Sequence, residues 1–156
     1  MQHLAIGKKE IFAEGCHWDT VWYPSTGPTA LTDGIFGTWS FKTRDQRWQR
    51  FYCDLDVTID LEKVMPIHYI GATFFSQRIL GVAFPVKVEM FVSDDGVNFV
   101  KCGESSYRMT DGAQVSGDYM DFGAPVNAEG RYVRYVARRN PAPGHSAIQL
   151  DEIVVN

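Results

Sequence analysis

Val88-Glu-Met-Phe-Val-Ser-Asp-Asp-Gly-Val-Asn-Phe99 is the stretch that decides the fold. Val86, Val88, Met90 and Val92 alternate with Lys87, Glu89 and Ser93, around a single Phe91. A period of two places one set of side chains on each face of a strand, so this one has an apolar face for a core and a polar face for water. The run ends in Ser93-Asp-Asp-Gly96, whose short polar side chains and glycine are the chemistry of a tight turn.

The same pattern recurs on both sides. Val57, Ile59 and Leu61 alternate with Thr58 and Asp60; Val133, Tyr135 and Ala137 oppose Arg134 and Arg138; Ile148, Leu150, Ile153 and Val155 close the chain. Asn127-Ala-Glu-Gly130 and Asn140-Pro-Ala-Pro-Gly144 punctuate these runs as turns. No window of a dozen residues keeps apolar side chains at three- and four-residue spacing without Gly or Pro interrupting it. Many short strands and little helix predict an all-β chain of two antiparallel sheets packed face to face.

The 156 residues, 45% of them hydrophobic, suit one domain spanning 1–156 with a proper core. No run nears the roughly 20 apolar residues of a membrane span, and no signal peptide is visible at the start. Met1 reads as the opening of a module cut from a larger parent. The net charge of −4, with Lys and Arg scattered among acidic neighbours, gives no basic stripe for nucleic acid. Cys16, Cys53 and Cys102 are odd in number and lack a Cys-x-x-Cys spacing, which argues against a disulfide framework or a zinc cluster. Buried free thiols are the simpler reading, with one disulfide plus a leftover thiol as the alternative.

Four segments in order resemble the discoidin family, the factor V/VIII type C or galactose-binding-like domains. They are Ala30-Leu-Thr-Asp-Gly-Ile-Phe-Gly-Thr-Trp39, Asp56-Val-Thr-Ile-Asp-Leu61 followed by Ile67, the Val88–Phe99 stretch, and Arg131-Tyr-Val-Arg-Tyr135 with Asp151-Glu-Ile153. Trp48-Gln49 and Gly71-Ala-Thr-Phe-Phe75 look most like the C-terminal modules of bacterial chitobiase or β-hexosaminidase-like proteins. The resemblance implies a jelly-roll β-sandwich binding carbohydrate through loops at one end. It further implies a monomeric, non-catalytic module of a bacterial glycosidase-like parent that is secreted, periplasmic or attached to the cell surface.

The resemblance also implies a structural calcium ion. Calcium takes six to eight oxygen ligands, and a loop can supply most of them as carbonyls. Asp33 and Thr38 offer side-chain oxygens, Ala30 and Ile35 offer carbonyls, and the family pattern adds Glu152 with the Asp151 carbonyl beside it. Such an ion would pin the early loop to the last strand. Without it, Asp33 caps the Asp-Gly turn and Glu152 is solvated.

Sugars are recognised by an aromatic ring under a pyranose face and by planar multi-donor side chains on the hydroxyls. Three loops combine these types: Lys42 to Gln49 with Arg44, Asp45, Gln46 and Trp48; Ser76 to Phe84 with Gln77 and Arg78; and Arg139 to Ser146 with Asn140 and His145. The candidate contacts are Trp48, Gln77, Arg78, Asn140 and His145. Against them stand a core role for Trp48, an internal carboxylate partner for Arg78 and a solvated His145. The apolar Ile79–Phe84 run could dip into lipid or form a buried hairpin, and the missing Lys and Arg cluster disfavours the membrane.

An enzyme would need a chemistry-bearing pair. Asp54 with Asp56 and Asp118 with Asp121 are the carboxylate pairs on offer, and both read as solvated strand-end residues. No Gly-x-Ser-x-Gly elbow, His-Glu-x-x-His or phosphate-cradling glycine loop occurs. A structural spacer in a glycoside hydrolase, or a protein- or lipid-binding domain, is the alternative to sugar binding.

Overall fold

The computed structural model describes residues 2–16, 23, 27–37, 47–106, 118–145 and 147–156, with those at 78 and 118 described by backbone only. The strands are β1 (Glu10–Phe12), β2 (Gln49–Phe51), β3 (Leu55–Ser76), β4 (Lys87–Ser93), β5 (Val100–Ser106), β6 (Asp118–Arg138) and β7 (Ile148–Val155). A single 3-10 turn, Arg78–Leu80, follows β3, and no α-helix occurs among the described residues.

All the strand pairs are antiparallel, in the order β2-β7-β3-β6-β4-β5 with β1 also on β3. The two long strands β3 and β6 pair along almost their whole length and serve both layers of the sandwich. Their register breaks between Asp60 and Met65 and between Ile67 and Tyr69, where the ribbon turns from one layer to the other. One layer joins the first part of β3 to β1, the last part of β6, β4 and β5; the other joins the rest of β3 to the first part of β6, β7 and β2.

The alternation read in the sequence fills the space between the layers. Val57, Ile59, Leu61, Val88, Met90, Val92, Val133, Tyr135 and Ala137 meet Ile70, Ala72, Phe74, Phe122, Leu150, Ile153 and Val155 in one core. Phe74 is its hinge, edge-on to Phe122 at 5.3 Å and stacked at 6.4 Å on Tyr135, whose hydroxyl donates to the Phe122 carbonyl. The Ser93–Gly96 turn forms as its residues dictate. Asp95 accepts from the Val97 and Asn98 amides, and Gly96 takes φ +76° against the Tyr132 ring, where a side chain would be strained.

The strands of the second layer are buried on both faces at one end. Phe74 points into the main core, but its neighbour Phe75 joins Tyr23, Trp48, Val82 and Ala147 in a separate cluster on the outer side. This second cluster underlies the loops that follow β3 and precede β7.

Candidate functional site

The loops after β3 and before β7 come together. Gln77 pairs with Val82 to close the turn carrying Arg78, while Val82 bridges in parallel to Ala147. The Ala83 amide donates to the Ala147 carbonyl and the Ala147 amide to the Gly81 carbonyl, both at 3.1 Å. Gln77, Arg78, Asn140 and His145 therefore share one end of the sandwich. Arg78 opens the 3-10 turn, and its side chain lies outside the described set, as do Arg44, Asp45 and Gln46 of the third loop.

Within this end, individual side chains differ from the sequence reading. Of the two readings of Trp48, a sugar contact and a core residue, the structure shows the second: it is 1% exposed, with its ring 6.0 Å from Phe75 and 5.5 Å from Tyr119. A covered ring supports the loops and has no free face. Asn140 is buried and its Oδ1 accepts from the Ala142 amide, so it shapes the Pro-Ala-Pro turn. His145 is half-buried and its Nδ1 is buried with no hydrogen-bond partner among the described residues. The Ile79–Phe84 run splits: Ile79 stands 92% exposed at the tip, while Val82, Ala83 and Phe84 are buried.

Two residues of this end were missed in the sequence. Tyr119 is the half-buried aromatic that reaches the surface beside Trp48 and Phe75, and burial raises its hydroxyl pKa. Its alternation with Met120 was the available signal. Arg50 is buried: its guanidinium lies 4.4 Å over the Tyr23 ring and its Nε donates to Gln149.

The early loop lies along β7. The Leu31 carbonyl accepts from the Ile153 amide, and the Leu31 amide donates to the carboxylate of Glu10 on β1. Glu152 is fully buried; its Oε1 accepts from the Gly34 amide at 2.9 Å and lies 3.0 Å from His3 Nε2, while its Oε2 has no hydrogen-bond partner among the described residues. Asp151, also buried, accepts from the Gly37 amide at 2.9 Å and from the Glu152 amide at 2.6 Å. Asp33 accepts from the Ile35 amide and is half-buried. Thr38 lies outside the described residues.

Burial, ahead of the opposing backbone hydrogen bonds, lifts Glu10 to about 8 and Asp151 to about 6, and the Glu152 charge pushes both further up. Glu10 and His3 were not singled out in the sequence, because a three-residue strand gives too few alternations to show that Glu10 points inward. No group of three or more His, Cys, Asp or Glu side chains arranged to hold a metal occurs among the described residues. A cation here would depend on carbonyls, as calcium does. The buried, unpartnered Glu152 oxygen and the raised neighbouring carboxyls fit such an ion.

The same outer face carries a shallow groove of about 510 Å³ between β3, β6 and β7. The Tyr69 hydroxyl rests across Gly71 and Gly123, while Thr73 donates to Asp121 at 2.6 Å. Phe36 of the early loop, 53% exposed, lines its side. The next residue, Gly37, packs so tightly on Trp48 that an added Cβ would lie 2.3 Å from the ring.

No protein-family profile matches the chain, and no curated protein sequence does. Solved structures do match along almost its whole length. The chitosan-binding module 1 of a chitosanase/glucanase from Paenibacillus sp. IK-5 superposes with a TM-score of 0.60 at 14% identity, covering 100% of this chain and 99% of that one. CBM32-3 from a family 31 glycoside hydrolase of Clostridium perfringens gives 0.59 at 13%, covering 94% and 90%. CpGH89CBM32-5 from Clostridium perfringens, solved in complex with GalNAc-beta-1,3-galactose, gives 0.54 at 18%, covering 90% and 94%. The fold is the β-sandwich of these modules.

Proposed function

We propose that this chain is a non-catalytic carbohydrate-binding module whose ligand sits on the loop end formed by residues 77–82 and 140–147. The observation that carries the reading is their junction through Val82 and Ala147. It gathers Gln77, Arg78, Asn140 and His145 above an aromatic cluster, on a sandwich shared with modules named for binding sugars.

Burial supports the division of labour for the described side chains, and Arg78 joins it by its place at the start of the 3-10 turn. Tyr119 and the exposed loop tip meet the sugar, Trp48 and Arg50 hold the loops from beneath, and Arg78 with Gln77 and His145 supplies donors and acceptors for hydroxyls. Galactose- or N-acetylhexosamine-bearing glycans are the ligand class, and a bacterial glycosidase outside the cytoplasm is the parent. A calcium ion held by Asp33, Glu152, the Ala30, Ile35 and Asp151 carbonyls and Thr38 would neutralise the buried carboxylates and fix the early loop; its role is structural.

Glycan-array binding with and without chelator tests the reading. Retention on galactose- or N-acetylhexosamine-terminated glycans is expected, with Arg78→Ala lowering affinity roughly tenfold or more at an unchanged melting temperature. A folded protein that binds no glycan at any accessible concentration sinks the proposal.

A further inference from the structure

Two of the three cysteines meet in space. The β1–β3 ladder pairs Glu10 with Ile59 and Phe12 with Val57, and the Ala13 amide extends it by donating to the Asp56 carbonyl at 2.9 Å. Counted outward one residue for one, position 16 falls opposite position 53. The chain then tightens into a turn, in which the Cys16 amide donates to the Ala13 carbonyl and Gly15 takes φ +81°. The turn brings the Cys16 thiol back onto the other segment: its Sγ lies 3.7 Å from the Asp54 carbonyl, next in the chain to Cys53, and the Cys53 side chain is near enough to raise the Cys16 thiol pKa. Both residues are half-buried against the edge of the main core. Cys102 is apart from them on β5, its thiol donating to the Met90 carbonyl at 3.5 Å.

We propose that Cys16 and Cys53 close to a disulfide in an oxidising environment and that Cys102 stays a thiol. A disulfide needs sulfurs about 2 Å apart, and for side chains that already face each other across neighbouring segments side-chain rotation and a glycine-containing turn can supply the approach. The oxidant is a low-molecular-weight disulfide such as oxidised glutathione. One cysteine thiolate attacks it, forming a mixed disulfide and expelling one glutathione thiolate. The second cysteine thiolate then attacks the protein-bound sulfur, forming the Cys16–Cys53 bond and expelling the other glutathione. The two thiol protons end on the released glutathiones, which carry away the two electrons. The Cys53 side chain, and then burial, raise the Cys16 thiol, so the pair needs a disulfide oxidant and reacts more slowly than an exposed, acidic thiol would.

The bond would tie the end of β1 to the entrance of β3 and enclose the whole early loop. Closing so long a segment restricts the unfolded chain and raises the melting midpoint by roughly 5–10 °C. This inference does not depend on sugar binding.

The test incubates the full chain with oxidised glutathione, alkylates and counts thiols in denaturant, maps the linked peptides and measures melting. One reactive thiol is expected, at Cys102, together with a Cys16–Cys53 peptide and the higher midpoint, reversed by reductant. Cys16→Ser and Cys53→Ser should each abolish both the peptide and the rise. Three free thiols after oxidation, a bridge to Cys102, or glutathione retained on Cys16 or Cys53 without a bridge would each overturn the proposal, and peptide mapping of the unmutated protein decides this even if a serine variant folds poorly.

Discussion

The molecule handles its carboxylates in two opposite ways. On the outward face of the first layer, Asp56 and Asp60 each meet an arginine through two hydrogen bonds of 2.6–2.9 Å, from Arg134 and Arg131. Asp54 lies within 3.7 Å of Arg138 on the same face. Along β7 and the early loop, Glu10, Asp151 and Glu152 are buried, and they meet backbone amides, the Thr32 side chain and His3. Surface carboxylates with arginines are satisfied as they stand. The buried ones, with no arginine partner among the described residues, leave more charge uncompensated, and the proposed calcium ion rests on that contrast.

Removing the proposed calcium ion should have the largest effect. Chelation is expected to lower the melting midpoint by roughly 5–10 °C, as for an ion bound about a hundredfold above its dissociation constant, and Asp33→Ala should make the protein insensitive to chelator. A scanning calorimeter measures both; identical midpoints with and without chelator would erase the contrast.

Next in size is a difference of sign with pH. Asp60 is held below its usual 3.8, first by its hydrogen bond to Arg131, so its contribution is present above 3.8 and lost as pH falls through the lower folded value. Glu10 is raised from 4.5 to about 8, so its contribution is present in full below 4.5 and lost as pH rises through about 8. In chelator, stability should decline between pH 4.5 and 8, and Glu10→Gln should flatten that decline. Denaturant melts across the range measure the slope, and a rising curve in chelator would contradict it.

The smallest effect belongs to the outer face. Replacing Asp56 by Asn should cost at most about 1 kcal/mol and less in high salt, because the pair with Arg134 is partly exposed. A loss of several kcal/mol by urea unfolding would show that this face is structurally as demanding as the other.

The sandwich was legible because alternation is local: Val57-Ile59-Leu61 or Val133-Tyr135-Ala137 announces an inward face regardless of partner. The bend of β3 and β6 between layers was not, since a register break depends on both strands at once. The pairing of Asp33 with the region of Glu152 came from family resemblance, but the inward turn of Glu10 is set by a three-residue strand with no readable period. Trp48 stayed open between core and sugar contact for a related reason. A tryptophan among polar neighbours looks exposed until Phe75, which follows an inward Phe74, proves to head a second cluster on the opposite face. Cys16 and Cys53 are likewise brought near each other by the β1–β3 ladder and the turn that follows it, which sequence spacing does not reveal.

Gly37 carries a consequence for how the two ends of the early loop communicate. Its α-carbon sits so close to the Trp48 ring that not even a methyl group fits between them, while its amide is fastened to Asp151 and the preceding Phe36 lines the outer groove. Loop and indole therefore cannot shift independently. If a cation sits on the loop and a glycan over the cluster, as proposed above, this shared wall makes each an effector of the other, and linkage requires both affinities to change by the same factor.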